Sequence, residues 1–405
     1  MKRLFTILLA VLSLLSLTAC GGSPTEETSQ EPLVDIQPQE PEAPPEPTPE
    51  ELAAQEVEDL LASLTLEEKV GQLFIIRPDS LDLTLPQEQI DDAKADGVTE
   101  LTDAMRETLQ QYPVGGICQF GKNIESPSQL ARFNKDLQAA SATPLFITVD
   151  EEGGMVARLA NNDAFDLPRY ASAAAVGALG DPENARAMGQ TIGGYLKTYG
   201  FNMDFAPDAD VNTNPDNPII GERAFSSDAA TAAQMAAAAA EGLRQNGILP
   251  TLKHFPGHGD TAEDSHTDLA VTYKTREELE NCELLPFAAD TGLHAVMVGH
   301  IAAPNVIGSD TPATLSAELI AMIPDTENTL IVTDSLSMDA ITKAYTPGEA
   351  AIQAIQAGCD VLLMPNSLPE AYDAVLAAVQ NGTISEPRLD QSVNKILHYK
   401  QQFAV

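Results

Sequence analysis

The segment Lys253-His254-Phe255-Pro256-Gly257-His258-Gly259-Asp260, followed by Asp264-Ser265-His266, concentrates the residue types that move protons or hold metals. Five of the six histidines fall between positions 254 and 300: His254, His258, His266, His294 and His300. His254 and His258, with His266 as a third ligand, allow a metal-dependent hydrolase to be considered. A Pro-Gly-Gly loop, however, does not place positions i and i+4 on one face as a helix would. Asp264 and His266 stand two residues apart, and in an extended loop such residues point the same way. The carboxylate can then orient the imidazole and stabilise its protonated form. That pair shuttles a proton to a leaving group and back from a nucleophile; the plainer alternative is a loop salt bridge. Asp334 ends the apolar run Ile331-Val332-Thr333 with no Lys or Arg within five residues. It reads either as an anionic nucleophile or base, or as a helix N-cap. His294 is expected to be a packing or surface residue, and His398 a structural one.

Groups so far apart in sequence need a frame. Short β-branched apolar runs predict strands at Leu73–Ile76, Gly116–Phe120, Phe146–Val149, Met203–Ala206, Leu249–Lys253, Ala295–Gly299, Leu330–Thr333 and Val361–Met364. The runs are apolar on both faces, the pattern of a buried parallel sheet. Helical patterns lie between them, at Pro127–Ala140, Pro182–Tyr199, Ala229–Gln245, Arg276–Thr291 and Gly348–Ala357, with a last helix over Glu386–Gln402. The alternation predicts an α/β fold, a single (β/α)8 TIM-type barrel over residues 52–405 with no second domain. Asp150, Lys253 with His254, His300 and Asp334 all stand where predicted strands end, which is the active face of such a barrel.

The region before the barrel reads differently. Lys2 and Arg3 precede an apolar run, Leu4 to Leu17, too short for an ordinary membrane span. Leu17-Thr18-Ala19-Cys20 then resembles a bacterial lipobox, so residues 1–19 are expected to be a lipoprotein signal peptide and Cys20 the lipidated residue. A plain secretory signal is the alternative. Residues 20–51 are rich in Pro and Glu, lack Lys and Arg, and are expected to form a disordered acidic tether. A formal charge of −38 excludes nucleic acid as a partner and argues against lying on an anionic bilayer. Membrane contact is therefore expected through the lipid anchor only, at the extracytoplasmic face. Cys118, Cys282 and Cys359 are widely spaced without a CxxC, which favours buried thiols over a disulfide framework or zinc cage. No cofactor, metal or obligate protein partner is expected.

Taken together, the Lys253–Thr261 block with Asp264-Ser265-His266 resembles the signature of the β-N-acetylhexosaminidases of glycoside hydrolase family 3. The resemblance continues through Asp150-Glu151-Glu152-Gly153-Gly154 with Arg158, and Phe205-Ala206-Pro207 with Asp210-Val211-Asn212. It also takes in Asn217-Pro218-Ile219-Ile220-Gly221 with Arg223, Thr333-Asp334-Ser335-Leu336 with Met338, and Ala357-Gly358-Cys359-Asp360. Nearly the whole chain after the tether is covered. The resemblance implies a retaining glycosidase, with Asp334 as nucleophile and His266, oriented by Asp264, as acid/base. Related two-domain β-glucosidases take their acid/base Glu from a second domain, whereas a single barrel would supply its own. Asp150, Arg158, Arg223, Lys253 and His254 match sugar-binding positions, with Arg223, Lys253 and His254 as basic groups holding hydroxyls; His258 is expected to support the loop. Glu151 stands where Gln is more usual, Met155 replaces a common basic residue, and the acidic stretch Asp79 to Gln111 has no assigned role.

The expected reaction is removal of terminal non-reducing β-linked N-acetylglucosamine from peptidoglycan fragments or chitooligosaccharides, with phosphate permitted in place of water. Two other readings differ in outcome. A metal-dependent barrel hydrolase using His254, His258 and His266 would lose activity on chelation. A non-catalytic wall-binding lipoprotein would bind N-acetylglucosamine-containing glycans without turnover.

Overall fold

Eight short parallel strands form the centre of the computed structural model, which describes residues 47–262 and 268–403. They are β1 (Phe74–Ile76), β2 (Gly116–Gln119), β3 (Phe146–Val149), β4 (Met203–Asp204), β5 (Leu249–Phe255), β6 (Ala295–Val298), β7 (Leu330–Thr333) and β8 (Leu362–Leu363). Each pairs in parallel with its sequence neighbour from β1 to β7, and β8 returns to β1. A single bridge, Val332 to Val361, joins β7 to the chain just before β8. The sheet is therefore a nearly closed barrel of the predicted type. β4 stops earlier than expected because Pro207, with no N–H to donate, follows closely.

The strands are buried along their whole length, which is why they read as continuous apolar runs. Helices cover them outside, and most begin on a residue that fits the job. Ser126, Asp181, Asp228, Thr346, Ser367 and Ser385 each accept a backbone N–H from the first turn they cap.

Three details depart from expectation. Residues 49–51, assigned to the tether by composition, are the first turn of helix Pro49–Ser63, which Thr48 and Glu51 close with a capping box. The helix expected over Arg276–Thr291 is two short ones, Arg276–Glu280 and Leu285–Ala289; the turn between them buries Glu283 against Lys274, and Pro286 suits the fresh start. Cys118 and Cys359 are buried thiols, but Cys282 is only partly buried. Two small sheets also decorate the barrel: hairpin Glu151–Gly153 with Val156–Ala157, and the parallel pair Ala270–Val271 with Ile301–Ala302. No helix among the described residues is long and apolar enough to cross a membrane.

At the N-terminal end of the strands, Lys400 from the last helix is buried. Its Nζ donates to Gln72 Oε1 at 2.6 Å and lies 5.2 Å from the centre of the Phe146 ring.

Candidate active site

The C-terminal ends of the strands open on a cavity of about 620 Å³. Asp150, Arg158, Arg223, Lys253, His254 and Asp334, all expected site residues, line it together. β5 explains how two neighbours in sequence share it. Two positions on β6 separate Val296 from Val298, but three on β5 separate their partners Leu252 and Phe255. In a regular strand Lys253 and His254 would point to opposite faces; the extra residue re-aims them, and both face the cavity.

Lys253 is the centre of a fixed charge pattern. Its Nζ lies 2.8 Å from Asp150 Oδ1 and 2.7 Å from Glu152 Oε1. Arg223 grips Glu152 with both arms of its fork, Nε at 2.8 Å and Nη2 at 2.7 Å. Arg158 Nη2 is 3.4 Å from Asp150 Oδ2. Burial alone would raise both carboxylates. Lys253 and Arg158 overcome it at Asp150, holding that group well below the usual carboxylate range. Arg223 and Lys253 do the same at Glu152, which is held at about 2. Burial likewise opposes charge on Lys253, and the two carboxylates reverse the effect and raise its pKa. Asp150, Glu152 and Lys253 therefore keep their charges near neutral pH.

Asp210 organises the histidines. Its Oδ2 accepts from His254 N (3.3 Å) and contacts Nδ1 at 2.8 Å, while Oδ1 accepts from His258 N at 2.6 Å. A carboxylate already taking two backbone N–H groups acts as an acceptor toward His254 as well. Nδ1 therefore carries the proton and Nε2 is the acceptor. Burial first, and Arg223 next, push His254 down to about 4. His254 is thus a neutral acceptor and not the basic group expected from sequence. His258, also lowered by burial and then by His254, does brace the loop, with Nδ1 2.8 Å from Thr261 Oγ1 and its carbonyl accepting from Asn217 Nδ2 at 2.8 Å. It lines the cavity too. The glycines of this loop are required by space: a Cβ on Gly259 would sit 1.9 Å from the Val211 carbonyl oxygen.

Asp334 stands half-buried beyond β7, its N–H donating to Val298 O (2.9 Å) and its Oδ1 accepting from Ser335 N–H at 2.7 Å. It caps no helix, since the next one is Asp339–Thr342 with Met338 at the cap. The N-cap alternative therefore falls. His300 is fully buried just after β6, with Nε2 2.8 Å from Ser335 O and Nδ1 2.7 Å from Thr314 Oγ1. A carbonyl only accepts, so Nε2 carries a proton and donates to Ser335 O. The residue next to Asp334 is held by this contact. Asp264, His266 and Cys20 lie outside the described residues.

Glu152, Asp208 and Asp210 were not among the expected site residues. The available signal was spacing: Asp150 with Glu152, and Asp208 with Asp210, are each two apart in extended chain. Glu151, by contrast, turns away and is fully buried, accepting from Leu159 N, Ala160 N and the Tyr195 hydroxyl.

Among the described residues, ligand atoms of Asp208, Asp210 and His254 lie within 4.8 Å of one another. This set shares only His254 with the expected triad of His254, His258 and His266. Asp210 accepts from three N–H groups and Asp208 Oδ1 from Asp210 N–H; Asp208 Oδ2 makes no hydrogen bond among the described residues, but Arg223 Nε stands 3.5 Å from it. A guanidinium so close opposes a second cation. The arrangement argues against the metal-dependent reading.

Residues 65–399 match the glycosyl hydrolase family 3 N-terminal domain. The chain belongs to glycoside hydrolase family 3. Beta-hexosaminidase LpqI of Mycobacterium tuberculosis is 30% identical over 417 residues, covering 98% of this chain and 97% of that protein. Beta-hexosaminidase A of Pseudoalteromonas piscicida is 32% identical over 335 residues, covering 75% of this chain. The matched region spans 56% of that longer relative. A solved family 3 beta-N-acetylglucosaminidase from Paenibacillus sp. str. FPU-7 superposes with a TM-score of 0.76 at 39% identity, over 84% of this chain and 63% of that one.

Proposed function

We propose that this family 3 barrel is a retaining β-N-acetylglucosaminidase that removes terminal, non-reducing N-acetylglucosamine from peptidoglycan fragments or chitooligosaccharides. The observation that carries the reading is that Asp334 lines one cavity with the fixed-charge cluster of Asp150, Glu152, Lys253 and Arg223. The likeness to a mycobacterial beta-hexosaminidase and a Paenibacillus beta-N-acetylglucosaminidase supports it. In this reading Asp150 accepts from sugar hydroxyls, Arg158, Arg223 and Lys253 donate to them, and His254 Nε2 accepts. The Asp334 carboxylate attacks the anomeric carbon as the glycosidic C–O bond breaks, and His266, oriented by Asp264, protonates the leaving oxygen. His266 then takes a proton from water, which attacks the same carbon and releases Asp334. A His is neutral once deprotonated and repels an anionic acceptor less than a carboxylate would, so phosphate remains permitted as the acceptor.

Residues 1–19 fit a lipoprotein signal peptide, Cys20 the anchor, the Pro- and Glu-rich stretch from 20 up to helix Pro49–Ser63 a tether, and the rest the catalytic domain, with the enzyme at the extracytoplasmic face of the membrane. Turnover of a chromogenic β-N-acetylglucosaminide tests the mechanism. Asp334→Ala should lower kcat by roughly a thousandfold or more, and wild-type turnover in that variant would refute the assignment. His266→Ala should slow glycosylation by this activated substrate less than by a natural disaccharide. Chelation should leave the rate unchanged.

A further inference from the structure

The hairpin Glu151–Gly153 with Val156–Ala157 carries three charged groups of the active-site cavity: Asp150 just before it, Glu152 within it and Arg158 just after it. Its own ladder is slight. Two pairs form, Glu151 with Ala157 and Gly153 with Val156, and the register shifts between them. The Arg158 side chain is also loosely held. Its Nη2 lies 3.4 Å from Asp150 Oδ2, its guanidinium carbon 5.7 Å from the centre of the Phe120 ring, and its Nε makes no hydrogen bond among the described residues. The backbone on either side of Arg158 therefore decides where the guanidinium reaches into the cavity.

Glu151 supplies that restraint from the other side of the hairpin, fully buried and not lining the cavity. Its Oε2 accepts from Leu159 N–H at 2.8 Å, and its Oε1 accepts from Ala160 N–H at 2.9 Å and the Tyr195 hydroxyl at 2.8 Å. Its own N–H donates to Asp204 Oδ1 on β4 at 3.0 Å. Arg158 is thus bracketed, by Ala157 paired with Glu151 before it and by Leu159 and Ala160 bonded to the same residue's carboxylate after it. Three donors converge on this one group. An ionised carboxylate only accepts and takes all three. The amide of Gln, noted above as more usual here, would turn its NH2 toward one of the two backbone donors. Burial pushes the Glu151 pKa up, and the N–H groups of Leu159 and Ala160 oppose that rise by favouring the charged form.

We propose that Glu151 is the positioning residue for Arg158: from outside the cavity, its carboxylate fixes the chain after the hairpin so that the guanidinium meets a sugar hydroxyl. The inference rests on the glycosidase reading, in which Arg158 donates to the bound sugar. A Glu151 that served folding alone would change stability and leave the grip on the sugar as it was. A positioning Glu151 changes that grip as well, and its effect on the sugar vanishes once the Arg158 side chain is gone.

The test measures kcat, KM and Tm, with a chromogenic β-N-acetylglucosaminide as substrate, for Glu151→Gln, Arg158→Ala, the two combined, and Tyr195→Phe. Glu151→Gln should lower kcat/KM about tenfold, mostly through KM, because a donor to the bound sugar is displaced. In the Arg158→Ala background the same change should cost less than about twofold. Tyr195→Phe removes the third donor and leaves both backbone N–H groups on the carboxylate. Its Tm should fall while kcat/KM stays within about twofold of wild type. Costs that multiply in the combined variant would overturn the inference, as would wild-type kcat/KM in Glu151→Gln. If Glu151→Gln does not fold, Tyr195→Phe still decides: a fall of about tenfold there would tie activity to stability alone and overturn the inference. Release of the chromogen by wild type with any of these adverse results sinks this inference alone; no release by wild type sinks the glycosidase reading as well.

Discussion

At Lys253 the buried Glu152 and the partly buried Asp150 share one ammonium, so its loss would leave Glu152 only Arg223 and Asp150 only Arg158, at 3.4 Å. Lys253→Met should destabilise the fold by about 3–5 kcal/mol, the usual result of removing one partner from a buried ion pair, as read from urea unfolding. The pH dependence has a definite sign. Glu152 is held at about 2, below its ordinary 4.5, so its stabilising contribution is present above the ordinary value and is lost as pH falls through about 2. In Lys253→Met that acid loss should begin at higher pH. Asp150, Lys253, His254 and Asp334 were legible in the sequence because each stands where an apolar run ends, a local signal. Asp210 was not, because the backbone groups it holds lie 44 and 48 residues along the chain. The charge state of His254 was also illegible, since burial and Arg223 decide it and neither is visible in the residue's type.

Among the elements, the strands were read closely because each needs only a few apolar residues in a row, buried on both faces. The Arg276–Thr291 stretch shows the limit: its helical periodicity is real, yet burial of Glu283 beside Lys274 and Thr213 breaks it in two. The loop at Pro256–Gly259 illustrates the opposite case, where glycine and proline punctuate correctly but their reason is tertiary. Gly259→Ala would drive a Cβ into the Val211 backbone, which no rotamer change relieves. We expect a loss of about 1–3 kcal/mol from overpacking, together with at least a tenfold fall in kcat/KM, because Asp210 holds both this loop and His254. Thermal unfolding and turnover of the chromogenic substrate measure the two effects. A variant matching wild type in both would show that the loop tolerates displacement.

Across the molecule, Lys400 separates folding from chemistry, lying at the N-terminal ends of the strands while the cavity opens at the other. Burial pushes it down to about 7 from an ordinary 10.5. Between those values the unfolded chain holds a proton that the folded one lacks, so stability should rise with pH by up to about 1.4 kcal/mol per unit; below about 7 both states hold it and the limb is flat. Lys400→Met should abolish that rise and be more stable than wild type at pH 6 in urea, with kcat unchanged. The barrel itself gives the extra residue of β5 a wider meaning. β5 is paired with β4 on one side and β6 on the other, so in a nearly closed ring it cannot slide without disturbing its neighbours. The pairing of Lys253 with His254 at the cavity is therefore a property of chain length. The only residues between Leu252 and Phe255 are Lys253 and His254 themselves, so deleting either would restore a regular ladder but remove one of the two cavity groups, a loss that no point substitution could return.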